Sequence, residues 1–230
     1  NFCVCGVLDQ HGAIYPLGAD TRVLSTIFEL TSRPAIYRTA ERLGLKVFEP
    51  DKQNVYPDFT LCSDDRDEKK IAIDVKTTYR LKKEDRFGYT LGGYTSFIRE
   101  GNERKNIVFP FNEYAAHWVI GFVYDRIAQK KAAANKVYSI KEYAEIPIPF
   151  DNVEYFVQEK WRIAGARAGS GNTTNIGSIE GLLSDFREGR GPFKNEEEFL
   201  TYWRGYGRTA SDRASAYGTI EAFRALLQKG

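Results

Sequence analysis

The segment Lys70-Ile-Ala-Ile-Asp-Val-Lys-Thr-Thr78 constrains this chain more than any other stretch. After Lys70 it opens apolar and β-branched, the composition of a buried strand, and it turns charged only at Asp74 and Lys76. Residues two apart on a strand share a face, so Asp74 and Lys76 emerge side by side while Val75 turns into the core. Upstream, Tyr56-Pro-Asp-Phe-Thr-Leu61 reads as a neighbouring strand joined through a charged turn over 63–69. Hairpin pairing then brings Asp58 across from Asp74. Two carboxylates at such spacing resist joint ionisation. A hard divalent cation relieves the repulsion, because Mg²⁺ takes oxygen ligands and keeps several waters. A cation held there polarises a phosphodiester and lowers the pKa of bound water. Lys76 is placed to stabilise charge on phosphorus or to orient the attacking water. The pattern thus points to metal-assisted hydrolysis of a P–O bond. It is also short and recurs by chance, and strand-end charges in a surface ion pair would look the same.

The surrounding chain reads as a mixture of strands and helices. Phe2-Cys-Val-Cys-Gly-Val-Leu8 predicts a strand, with Ala13-Ile-Tyr15 pairing back after a turn at Gly12. Asp20 and Thr21 are N-cap residue types before a helix over 22–30, and Pro34 breaks or restarts it. A second helix over 35–43 ends at Gly44 in the C′ position. Lys46-Val-Phe48 predicts a strand. The spacing of Ala115, Trp118, Val119, Phe122 and Ile127 predicts a long helix over 113–134. Segments 153–157 and 161–164 read as late strands. The stretch 165–177, rich in Gly, Ser, Thr and Asn, reads as a loop, and the chain from Gly191 onward as mainly helical. Elements that mix without strict alternation imply an α+β or α/β fold around a mixed sheet, in one domain over 1–230.

Composition closes off several function classes. The hydrophobic fraction of 42% with 14% aromatics belongs to a globular chain. No apolar run is long enough to span a bilayer, and no basic-then-apolar leader is present, so the expectation is a cytoplasmic protein with no membrane partner. The absence of any Met, the initiator included, gives the expectation that residues precede Asn1. Cys3, Cys5 and Cys62 make an odd set without framework spacing, as expected of reduced, small buried side chains. A formal net charge of +2 neither demands nor forbids nucleic acid, since carboxylates that hold metal offset a basic groove. The two histidines, His11 and His117, lie far apart, which disfavours histidine-metal nuclease and Ser-His-Asp chemistries. His117, beside Trp118 on the expected long helix, reads as packed or partly exposed.

Segments 15–18, 23–30, 56–61, 71–79, 90–99, 105–108, 168–179 and 202–204 resemble, in the same order and across nearly the whole chain, the EcoRV family of type II restriction endonucleases, which are PD-(D/E)xK nucleases. The resemblance implies a mixed sheet flanked by helices, with a catalytic core over about 20–130 and a small dimerisation part near 3–16 and 43–51. It implies Asp58 and Asp74 as metal ligands and Lys76 as the catalytic lysine. Glu29 becomes a further metal-binding acid by resemblance alone, since its helix position reads as a solvated charge. Gly169, Gly171, Asn172 and Thr173 match a loop that enters the major groove, where Asn pairs bidentately with adenine and Thr meets base edges or a thymine methyl. Gln53 and Asn54 match a second, minor-groove and backbone loop. There Lys52 stands where the family has glutamine and Val55 where it has histidine. Thr21, Arg22, Thr90, Lys105, Arg126, Arg208 and Arg213 match backbone-contacting or DNA-adjacent positions. What the resemblance implies overall is a Mg²⁺-dependent homodimer, with Mn²⁺ as substitute metal, that cuts double-stranded DNA bluntly at GATATC and is paired with a cognate DNA methyltransferase. The alternatives are a related nuclease of different or relaxed specificity and a DNA-binding protein without activity.

Overall fold

The computed structural model describes residues 4–52, 54–81, 85–94, 98–99, 106–130, 135–169, 174–207 and 209–229. Its centre is a five-stranded mixed sheet built from β3 (Lys46–Phe48), β4 (Phe59–Cys62), β5 (Lys70–Tyr79), β7 (Tyr114–Arg126) and β9 (Phe150–Glu159), in that spatial order. β5 and β7 run parallel and the other pairs antiparallel. A three-stranded sheet joins β1 (Gly6–Leu8), β2 (Ala13–Pro16) and β8 (Tyr138–Ser139). Another joins β6 (Thr90–Gly93), β10 (Ala164–Ala168) and β11 (Asn175–Ser178). The fold is α+β with a mixed sheet, as the sequence implies.

Helix α1 (Thr21–Leu43) covers one face of the sheet. Leu24, Phe28, Ser32, Ile36 and Ala40 are its buried residues, a stripe at intervals of four. Ile36 and Ala40 pack with Phe59, Leu61 and Val75. The Asp20 side chain caps the first turn through Arg22 N, and Gly44 closes the last in the left-handed region at φ 67°. The expected break at Pro34 does not occur, and one helix replaces two. Pro34 has no N–H to donate to the carbonyl of exposed Leu30, which water can serve, while Ser32 Oγ donates to Phe28 O at 2.7 Å one turn back.

The opposite face carries an aromatic core that includes Tyr94, Phe156, Phe186, Phe199, Tyr202 and Trp203. The C-terminal region supplies α4 (Glu196–Gly205), α5 (Ala210–Ser215) and α6 (Ile220–Leu227), with α3 (Leu183–Glu188) before them, so the helical expectation from Gly191 onward holds.

The long helix expected over 113–134 is a correction: Tyr114–Arg126 is strand β7, paired on both sides. Ala115, Trp118, Val119 and Phe122 fit a helical stripe, yet His117, Val119, Gly121 and Val123 are buried with period two. A central strand is apolar on both faces, so its sequence satisfies both templates, and the aromatic and β-branched residues decide for the strand. Residues 131–134 lie outside the described residues. His117 is accordingly buried on a strand. Segment 161–164 differs too: Lys160–Ile163 forms one helical turn, α2, and only Ala164 begins β10. Much of the loop expected over 165–177 is the hairpin β10–β11. Its glycines are there for close packing, since a Cβ on Gly177 would stand 2.7 Å from Arg167 O. The early hairpin appears as expected from Gly6 onward, with Cys3 outside the described residues, Cys5 half-buried and just before β1, and Cys62 free and buried.

Candidate active site

The antiparallel register pairs Phe59 with Ile73 and Thr60 with Ala72, so continuing the ladder sets Asp58 opposite Asp74. Asp58 Oδ2 accepts from Val75 N at 2.6 Å, which fixes the carboxylate against the edge of β5. Strand parity does the rest. Ala72 and Asp74 are buried on one face, while Val75 joins the cluster under α1. Lys76 Nζ donates to Asp74 Oδ1 at 2.5 Å. The three residues that the sequence singles out are thus brought together.

Asp58, Lys76 and Glu29 line a cleft of about 1050 Å³, along with Thr90, Arg167 and Gly169. Asp74 lies beneath this lining and is only 3% exposed. Burial and the neighbouring Asp74 charge push the Asp58 carboxyl up to about 7. Burial also opposes ionisation of Asp74, but the Lys76 and Lys160 ammonium groups outweigh it and hold that carboxyl below its usual range. Burial disfavours the Lys76 charge as well, yet Asp74 and Asp58 lift its pKa above the ordinary value. Asp74 is therefore the more readily ionised member of this pair, and Asp58 the one that burial and its neighbour's charge hold toward the protonated form.

These donors fit a divalent cation. Asp74 Oδ2 is buried without a hydrogen-bond partner, and Asp58 surrenders its proton reluctantly because a second negative charge faces it. Among the described residues no three Asp, Glu, His or Cys side chains converge as a closed metal cage. Two carboxylates at one site can serve a hard divalent cation, whose remaining positions go to water and substrate phosphate.

A model of the family described as Restriction endonuclease EcoRV matches residues 1–228. The chain belongs to the EcoRV restriction endonuclease family. It is 55% identical over 230 residues to the Type II restriction enzyme EcoRV of Escherichia coli, covering 100% of this chain and 93% of that protein. Among solved structures, a NlaIV restriction endonuclease aligns over 99% of this chain and 82% of its own at TM-score 0.47 and 13% identity. The chain is accordingly a type II restriction endonuclease of the EcoRV family, a hydrolase that acts on DNA.

Within this EcoRV-family frame the remaining positions separate. Thr90 on β6 and Gly169 after β10 border the same cleft as Asp58. Glu29 is half-buried on α1 beside Phe28, and not on a fully solvated face. Thr21 and Arg22 are exposed in the first turn of α1, with Arg22 3.7 Å from Asp20. Asn54 is exposed at φ 62°. Arg126 donates to Ala19 O at 3.0 Å and lies over the Tyr79 ring, bordering a separate groove with Arg80 and Glu154. Arg213 donates to Gly207 O at 3.2 Å and stacks near Tyr206. Gly171, Asn172, Thr173, Gln53, Lys105 and Arg208 lie outside the described residues.

Sequence reasoning missed Lys160. It is 3% exposed, with Nζ 3.6 Å from Asp74 Oδ2 and 3.9 Å from the centre of the Tyr56 ring. Tyr56 OH shares a 2.7 Å hydrogen bond with His117 Nδ1. Burial drives Lys160 down to about 8 and His117 down to about 3, and raises the Tyr56 phenol well above its ordinary value. The available signal is strand parity: Phe156, Gln158 and Lys160 fall on one buried face of β9 and its continuation.

Proposed function

We propose that this chain works as a Mg²⁺-dependent homodimer that cleaves both strands of duplex DNA at the palindrome GATATC, bluntly at its centre, leaving 5′-phosphates and 3′-hydroxyls. The observation that carries this reading is the meeting of Asp58, Asp74 and Lys76 at a cleft of about 1050 Å³ in a chain 55% identical to EcoRV. Asp58 and Asp74 would hold the cation, with Glu29 at the rim. The cation would polarise the scissile phosphate and acidify a bound water. Lys76, whose ammonium is kept charged by the two aspartates, stabilises negative charge gathering on the phosphate oxygens. Val75 N orients Asp58 throughout.

Base recognition is assigned to Gly169, Gly171, Asn172 and Thr173, with Asn54 in the second loop and Gln53 on the backbone. Thr21, Arg22, Thr90, Lys105, Arg126, Arg208 and Arg213 would meet or flank phosphates. A two-fold dimer reads a palindrome because protein and site share the symmetry. A central TA step, easily kinked, adds readout through deformation. Mn²⁺ substitutes for Mg²⁺, and a cognate methyltransferase in the same bacterial cytoplasm protects the host.

The test is a digest with Mg²⁺ of two plasmids, one carrying a single GATATC and one lacking it, followed by sequencing of the ends. A single blunt cut in the first alone is expected. Cutting of both would keep the nuclease and discard the inherited specificity. Cutting of neither, with DNA binding intact, would favour a protein that binds without hydrolysing.

A further inference from the structure

Lys160 is a lysine with almost no access to water, and nothing in the cleavage chemistry above uses it. A buried ammonium is costly unless its charge is answered. Here the answer comes from Asp74, whose Oδ2 stands 3.6 Å away, and from the Tyr56 ring at 3.9 Å, a cation–π distance. Tyr56 is itself fixed by the 2.7 Å bond to His117, and His117 lies stacked on Phe111 at 4.4 Å. The ammonium therefore sits on a rigid aromatic floor, directly behind the carboxylate. The two oxygens of Asp74 are divided between two lysines: Oδ1 meets Lys76 at 2.5 Å, and Oδ2 faces Lys160. Asp58 and the like charge of Lys76 also act on this ammonium, and the ammonium in turn acts on Glu196, which Glu159 faces as well.

We propose that Lys160 is a positioning and charge-compensating residue of the metal site. Its buried ammonium holds the Asp74 carboxylate from the Oδ2 side and sets a fixed positive charge against which a divalent cation must bind. The inference rests on the reading of Asp58 and Asp74 as metal ligands. It makes the charge on Lys160 a determinant of how weakly the DNA-free enzyme holds metal, separately from any effect on the fold.

The experiment measures Mn²⁺ binding to the full-length, DNA-free protein at neutral pH by electron paramagnetic resonance, for wild type, Lys160→Met, Lys160→Gln, Lys160→Arg and Asp74→Asn. A unit charge acting on a divalent ion at side-chain range is worth roughly a power of ten even under water-like screening. Lys160→Met and Lys160→Gln should therefore bind Mn²⁺ about tenfold more tightly, while Lys160→Arg stays near wild type. In cleavage assays the two neutral variants should lose kcat at saturating Mn²⁺, because Asp74 is no longer oriented, with KM for DNA unchanged. Circular dichroism reports whether each variant is folded. Unchanged or weaker Mn²⁺ binding in folded neutral variants would overturn the proposal, as would equal tightening in Lys160→Arg. Unfolding of both neutral variants would assign Lys160 to the core and overturn it too. Wild-type Mn²⁺ binding that survives Asp74→Asn would instead remove the metal-ligand reading itself, and the inference with it.

Discussion

Replacing Asp58 by Asn should stabilise the metal-free protein at alkaline pH while abolishing cleavage. The carboxyl is raised from its ordinary 3.8 to about 7, by burial first and then by the Asp74 charge. At about 1.36 kcal/mol for each tenfold change in proton affinity, that rise corresponds to about 4 kcal/mol of folding free energy lost when Asp58 ionises. Because Asp58 and Asp74 titrate together, about half of this, roughly 2 kcal/mol, is the expected gain on substitution. The sign follows from proton counting. Between 3.8 and about 7 the native state binds more protons than the unfolded chain, so stability falls as pH rises through that window and the penalty is complete above it. Asn keeps an oxygen for Val75 N and carries no charge toward Asp74. The assay is denaturant unfolding of wild type and variant in the presence of a chelator, at about pH 8 and about pH 5. The variant should be the more stable at the higher pH, and the gap should narrow at the lower one. Saturating Mg²⁺ should close the gap from the wild-type side, because a ligand bound only by the native state stabilises it. A variant equal to or weaker than wild type at about pH 8, or a gap independent of pH, would refute the reasoning.

Other substitutions separate chemistry from folding. Asp74→Ala should eliminate Mg²⁺-dependent cleavage yet leave DNA binding by gel shift in place; retained cutting would remove Asp74 from the site. His117 is held neutral, its pKa lowered to about 3 chiefly by burial, so it contributes stability above its unfolded value near 6.5 that is lost as pH falls toward 3. His117→Gln should therefore shift acid unfolding to lower pH, with an effect of about 5 kcal/mol across that window, and an unshifted acid transition would contradict the assignment. Gly177→Ala sets a Cβ 2.7 Å from Arg167 O across the β10–β11 pair and should destabilise by about 1–3 kcal/mol in thermal unfolding; a neutral result would mean that the hairpin has room to shift.

The parts legible in the sequence are those where one signal dominates. Asp20 and Gly44 bound α1 as their cap chemistry requires, and alternation along β5 separates Asp74 and Lys76 from Val75. The failures have physical causes. Tyr114–Arg126 is apolar on both faces because it lies between β5 and β9, and a strand buried on both sides loses the alternation that distinguishes it from a helix. The Gly-rich stretch around Gly165 and Gly177 reads as flexible, but its glycines allow two backbones to approach closely. Lys160 stayed invisible because a lysine is read as solvated by default. Its burial depends on Tyr56 and Asp74, which are far away in sequence and meet it only through the order β4-β5-β7-β9.

Strand parity also explains how chemistry and specificity can be separated in such a chain. Ala72, Asp74 and Lys76 occupy one face of β5, and Ile71, Ile73 and Val75 pack toward α1. A one-residue slip of this strand would carry Asp74 and Lys76 to the α1 face and Val75 to the other, so the hydrophobic pattern that folds the sheet also fixes where these two charges emerge. The proposed reading loops belong to other elements: one joins β10 to β11, and the other lies in the segment before Tyr56. Lys52 and Val55 fall in that second segment and take no part in the Asp58–Val75 and Asp74–Lys76 contacts. A relative that had drifted in the site it reads would therefore keep its cleavage chemistry, and a digest that cuts plasmids lacking GATATC would locate the difference in these loops, not on β5.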